Sequence, residues 1–257
     1  MVLPIFGTRS KQTSPREVTD SVRRVAIHGF TGSNASWPAD WRLNQIPLTG
    51  HHPNHFFGEK NTFESEVHKI CTQITEATHL IGYSCGGRLA LAAALRKSTH
   101  IKRLSLISTH PGLSTSAERS HRQEQDKVWI DILEQEGIQN FVERWERIPL
   151  WDTQQGLPQS VLNEQKNIRL SHDPVQLAQS LKTVGLAAMP NFRPRLPELE
   201  IPVDLIIGES DSKFLALAHG MHKSMKYSQL YPIRDCGHNP LLEKPKALAH
   251  ILNGAGV

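Results

Sequence analysis

The chain has 257 residues, 38% of them hydrophobic and 21% charged, with 17 glycines and 16 prolines, a profile that fits a globular core and excludes disordered, collagen-like and coiled-coil classes. Lysine and arginine exceed the acids by 29 to 25, a formal charge of +4 without a basic block, so nucleic acid and anionic membrane are not expected partners. The longest unbroken apolar run, Leu89 to Leu95, is far below the roughly 18 residues of a membrane span. Residues 1–21, rich in Ser, Thr, Lys, Arg and Pro, read as a loose tail with one edge strand near Val2 to Phe6. Val22–His28 reads as a strand stopped by Gly29, residues 31–42 as loop, and Leu43–Leu48 as a second short strand. Phe63, Val67, Ile70 and Ile74 share one face of a predicted helix. Thr78–Tyr83 (strand), Gly86–Lys97 (helix) and Ile101–Ser108 (strand) follow. Residues 117–182 read as helices broken at Gly137, Pro149, Gly156-Leu157-Pro158 and Asp173-Pro174. Alternation then resumes with Val203–Ile207, Phe214–Met225, Tyr227–Ile233 and Leu241–Leu252.

Alternating strands and helices predict an α/β fold with a mostly parallel sheet and helices on both faces. The division expected is a tail (1–21), a core (22–110 and 191–257) and a helical cap (111–190) over the sheet's carboxyl edge, where such folds bind ligands. Cys71, Cys85 and Cys236 are odd in number and widely spaced, which suggests neither a disulfide framework nor a zinc site. The N-terminus lacks the basic and long apolar regions of a signal peptide, so a reducing cytoplasm is the expected compartment.

Gly82-Tyr83-Ser84-Cys85-Gly86 is a G-x-S-x-G string with a strand running into it and an alanine-rich helix leaving it. That setting is what a strained strand–turn–helix elbow requires, and it leaves the serine hydroxyl exposed above the sheet. A serine needs a histidine to take its proton and an acid to hold that histidine's tautomer. Asp211 follows the strand Val203–Ile207 and His238 follows Tyr227–Ile233, so both are expected on the edge that carries Ser84; Glu209 and Asp235 are rival acids. The backbone N–H groups of Cys85 and Phe30 are candidate donors to an oxyanion. His28 reads as a structural loop histidine. His51, His52 and His55 cluster in a loop, yet no carboxylate or cysteine completes a metal site there.

The segments His28-Gly29-Phe30-Thr31-Gly32, Gly82 to Arg88 and Gly208-Glu209-Ser210-Asp211-Ser212-Lys213-Phe214 resemble the α/β-hydrolase superfamily. Together with His110-Pro111-Gly112-Leu113, Ala117-Glu118-Arg119 and Arg122, they resemble in particular the 2-succinyl-6-hydroxy-2,4-cyclohexadiene-1-carboxylate (SHCHC) synthase family of menaquinone biosynthesis. Two differences stand out: Cys85 occupies a position where an aliphatic residue is commoner, and Leu48-Thr49-Gly50-His51-His52 replaces Leu-Pro-Gly-His-Gly. The resemblance implies a lyase that removes a proton alpha to a succinyl ketone and eliminates pyruvate, with no cofactor or metal. It implies that Ser84, His238 and Asp211 act as the base and that the N–H groups of Phe30 and Cys85 hold the enolate. A small anionic polycarboxylate substrate would be bound by Tyr83, Arg88, Arg122, Trp145 and Arg169, with Arg119, Arg144 and Arg147 left at the surface. Residues 111–200 hold ten basic and thirteen acidic side chains, so only individually aimed arginines could serve this purpose. An esterase or carbon–carbon bond hydrolase on the same scaffold is the alternative, since fold and triad serve both chemistries. A non-catalytic binding module would be favoured by a missing triad member, and none is missing.

Overall fold

The computed structural model describes residues 22–51, 56–58, 61–96 and 99–254; the expected tail with its edge strand lies outside them, as do His52 and His55. In chain order the elements are β1 (Arg23–Ile27), β2 (Asn44–Gln45), α1 (Phe63–Gln73), β3 (Thr78–Tyr83), α2 (Cys85–Leu95), β4 (Ile101–Ile107), α3 (Ser116–Gln135), α4 (Gly137–Trp145), α5 (Gln159–Leu170), α6 (Pro174–Val184), β5 (Val203–Gly208), α7 (Ser212–Ser224), β6 (Ser228–Ile233), α8 (Pro240–Glu243) and α9 (Pro245–Leu252). The sheet has strand order β2-β1-β3-β4-β5-β6 with every pairing parallel. Every residue of β3 and β5 is buried, as parallel strands covered on both faces require.

Alternate strand residues feed two cores. Val25, Ile27, Leu80, Leu104 and Leu205 pack with α1, α2 and α7, whereas Ala26, Ile81, Ile107 and Ile206 pack with Trp37 and α9. The chain order reverses between β1 and β3, so the carboxyl ends of these two strands flank a crevice. Two expectations are corrected. The strand Leu43–Leu48 shrinks to two residues, because Pro47 has no N–H for the ladder and the Leu48 N–H donates to His28 Nε2 at 3.2 Å. Leu241–Leu252 is not one helix: Lys244, before Pro245, is non-helical at φ −141°, ψ 55° and separates α8 from α9.

Between β4 and β5 the helices break where the sequence suggests. Gly137 takes a positive φ of 80°, Pro149–Gly156 forms a 3-10 turn, and Asp173 caps α6 by accepting the Gln176 N–H at 2.9 Å. This block has its own core, including Leu133, Phe141, Val142 and Leu177, and Phe30 from the sheet edge packs against it. Arg119, expected at the surface, is half-buried: its guanidinium donates to Ala187 O (2.5 Å) and Met189 O (2.7 Å), tying α3 to the chain returning to the sheet. Arg144 and Arg147 are exposed and pair with Glu136 and Glu143.

Candidate active site

Ser84 follows β3 directly and caps α2 with φ 49° and ψ −106°, a left-handed conformation costly for a residue with a Cβ. Two bonds hold it there: its N–H donates to Ile107 O at 2.9 Å, and its carbonyl accepts the Arg88 N–H at 3.1 Å. The turn needs its glycines. A Cβ on Gly86 would strike the backbone carbonyls of Ile27 and His28, and one on Gly82 would lie 2.5 Å from Gly87 Cα. As the first helical residue, Cys85 has an N–H without an intrahelical partner, at the positive end of the helix dipole. Its thiol is buried, which raises its pKa and keeps it an inert SH group.

Asp211 caps α7, accepting the Phe214 N–H at one carboxylate oxygen (3.3 Å) and the His238 Nδ1–H at the other (2.7 Å). That leaves His238 Nε2 to accept the Ser84 hydroxyl at 3.1 Å. Both rival acids, Glu209 and Asp235, are exposed. The loop carrying His238 is held from α8, where the Glu243 carboxylate accepts the N–H groups of Gly237 (2.5 Å) and Asn239 (3.1 Å). The imidazole is buried among the rings of Phe214 (4.5 Å between centroids), Tyr83 and Trp151 (5.8 Å each).

Ser84 and His238 open into a cavity of about 470 Å³ walled by the sheet edge and by residues of α3, α4 and the following turn. Of the residues expected to bind substrate, Tyr83, Arg88, Arg122 and Trp145 line it, together with Phe30 and Cys85. Arg88 is tethered through Val184 O (2.9 Å), and Arg122 through the buried Asp126 (2.8 Å). Burial raises the Asp126 pKa against the pull of Arg122, and its second oxygen has no partner among the described residues. The buried Tyr83 hydroxyl is pushed well above the normal tyrosine range, so it remains a donor. Arg169 lies elsewhere. It is buried beside an adjoining cavity of about 220 Å³ that shares Phe30, Tyr83 and Trp151 as a wall. There it pairs with Glu146 (3.1 Å), and its guanidinium carbon lies 5.0 Å from the Trp151 ring centroid.

The main cavity also contains residues to which the sequence reading gave no role: Ser108, His110, Trp129, Trp151, Lys213 and Phe214. His110, Lys213 and Phe214 belong to the two strings singled out above, and those strings were the available signal. Behind the Phe30 loop, His28, His51 and His172 meet edge-on, with centroids 5.4 and 5.3 Å apart. Burial lowers the pKa of all three, that of His28 to about 4, and each bonds to backbone groups, as structural histidines do.

The family model for the alpha/beta hydrolase fold matches residues 69–245. A Bacillus subtilis protein provisionally named 2-succinyl-6-hydroxy-2,4-cyclohexadiene-1-carboxylate synthase is 33% identical over 241 residues, covering 89% of this chain and 88% of its own length. This chain belongs to the α/β-hydrolase family. An Escherichia coli protein named 2-succinyl-6-hydroxy-2,4-cyclohexadiene-1-carboxylate synthase is 27% identical over 89% of this chain and 92% of its own. The solved structure of MenH from S. aureus superposes with a TM-score of 0.88 at 28% identity, covering 93% of this chain and 94% of that one. Among the described residues of this α/β-hydrolase, no helix is long and apolar enough to cross a membrane.

Proposed function

We propose that this enzyme is a carbon–oxygen lyase that eliminates pyruvate from 2-succinyl-5-enolpyruvyl-6-hydroxy-3-cyclohexene-1-carboxylate to give SHCHC, a step of menaquinone biosynthesis in the cytoplasm. The names of the B. subtilis and E. coli relatives support this reading. The observation that carries it is that two tethered guanidinium groups, Arg88 and Arg122, face the same cavity as Ser84 and His238. A simple ester needs no such pair, whereas a polycarboxylate does.

In this mechanism the Ser84 oxygen takes the proton alpha to the succinyl ketone as its own proton passes to His238 Nε2, with Asp211 fixing the imidazole. The electron pair left on carbon moves onto the ketone oxygen, and the N–H groups of Phe30 and Cys85 stabilise that enolate. Collapse of the enolate expels the enolpyruvyl oxygen, and the leaving group takes up the proton from His238 and departs as pyruvate. No water is consumed and no acyl-serine forms. Residues 111–190 act as a cap that excludes water, Tyr83 and Trp145 flank the ring, and Arg169 holds Trp151 and the cavity wall from behind. The strained elbow also suits an esterase, which is the second reading. The two are separated by assaying freshly made enolpyruvyl substrate for pyruvate release beside a panel of aryl esters and thioesters. The lyase reading requires pyruvate release to exceed every hydrolytic rate in kcat/KM. Efficient ester cleavage without pyruvate release would replace it with the hydrolase.

A further inference from the structure

The sequence strings around His110 and Lys213 are distant in the chain but meet in one wall of the Ser84 cavity. Gly112 donates its N–H to His110 Nδ1 at 3.0 Å, so the imidazole proton sits on Nε2. The donor needs a glycine: Gly112 has φ +105°, and a Cβ there would lie 2.5 Å from Pro190 O. Burial, followed by Arg193, Arg88, Lys213 and Arg122, lowers the His110 pKa to about 3, so the ring stays a neutral donor among cations. Lys213 occupies the first turn of α7, the end of a helix where a cation is disfavoured. It makes no ion pair among the described residues to offset that placement. The Phe214 ring joins the two functions, 6.4 Å from His110 and 4.5 Å from His238 between centroids. One aromatic ring therefore separates His110 from the proton-transfer centre, which suits the two-methylene arm of a succinyl ketone.

We propose that His110 Nε2–H and Lys213 Nζ bind the carboxylate at the end of the substrate's succinyl arm, as specificity-determining donors separate from Arg88 and Arg122. The inference deepens the lyase reading by naming the γ-keto-acid arm as what this wall recognises. The test uses 4-oxo-4-phenylbutyrate, a γ-keto acid, and its primary amide. Each is titrated into the full-length protein by tryptophan fluorescence, since Trp129, Trp145 and Trp151 line the cavity. Wild type should bind the acid at least about tenfold tighter than the amide. Lys213→Gln, at an exposed position, should bring that preference close to parity and raise KM for the enolpyruvyl substrate more than it lowers kcat. His110→Phe should reduce the preference severalfold; if this buried variant fails to fold, Lys213→Gln alone decides. An acid preference unchanged in Lys213→Gln overturns the proposal even if pyruvate is released normally. A Lys213-dependent preference in a wild type that releases no pyruvate keeps the clamp and removes the lyase reading.

Discussion

At the carboxyl ends of β3 and β6 and the start of α7, Ser84, His238 and Asp211 meet in a cavity wall. Deeper in the same sheet His79, Ser105 and Asp204, from β3, β4 and β5, also meet, all three buried. In the outer trio the imidazole stands in the middle, donating to the carboxylate and accepting from the hydroxyl. In the inner trio the serine stands in the middle: Ser105 donates to Asp204 Oδ2 (2.9 Å) and accepts from His79 Nε2–H (2.8 Å). Arg103 neutralises Asp204 at 2.6 Å. The serine proton is thus committed to a carboxylate that is already paired, and no base is aimed at the hydroxyl. Identical side-chain types aim a base at a hydroxyl beside a cavity in one place and form a closed structural tie in the other. Connectivity and access to a cavity make the difference, not composition.

The largest expected contrast lies in turnover. Ser84→Ala should lower kcat for pyruvate release by about a thousandfold or more, whereas Ser105→Ala should leave kcat within a few-fold. A large kcat loss in Ser105→Ala would erase the distinction. Stability should respond the other way. Asp204→Ala strands the largely buried Arg103 guanidinium and should cost about 3 kcal/mol in denaturant unfolding. Ser105→Ala leaves the His79 N–H without an acceptor and should cost about 1–3 kcal/mol; equal stability of wild type and both variants would show the inner trio to be idle.

The last contrast concerns pH. Burial, followed by Arg103 and Arg24, lowers the His79 pKa to about 3, against about 6.5 for an unfolded histidine. Between those values the unfolded chain binds a proton that the folded chain does not. The contribution of His79 is therefore fully present above pH 6.5 and declines as pH falls toward 3. His79→Gln should flatten the stability–pH slope in that window by up to about 1.4 kcal/mol per pH unit. An unaltered slope would mean that His79 is already protonated in the fold.

Much of the sheet was legible in the sequence because its signals are local. Thr78–Tyr83 is a short run centred on Leu80-Ile81 and stopped by a glycine-flanked turn, and the strand has those bounds. The helix breaks at Gly137, Pro149 and Asp173-Pro174 are likewise properties of single residues. α7 begins two residues before its apolar pattern, because the Asp211 carboxylate that bonds His238 also caps the helix. What the sequence did not disclose depends on convergence. Glu243 acts on the His238 loop through two backbone N–H groups, which no side-chain pattern announces. Arg119 looks like a solvated helix charge until its reach to Ala187 and Met189 is seen. Arg169 on α5 and Arg122 on α3 are both helix arginines, yet they line different cavities, a difference that only the packed structure discloses.

The reading rests above all on Ser84 acting as a base rather than as a nucleophile. Single-turnover pyruvate release from substrate carrying deuterium at the carbon alpha to the succinyl ketone, with mass analysis of the quenched protein, tests this most directly. A primary isotope effect well above unity, with Ser84 unmodified, is the expected result. An isotope effect of one together with a covalent adduct on Ser84 would contradict it.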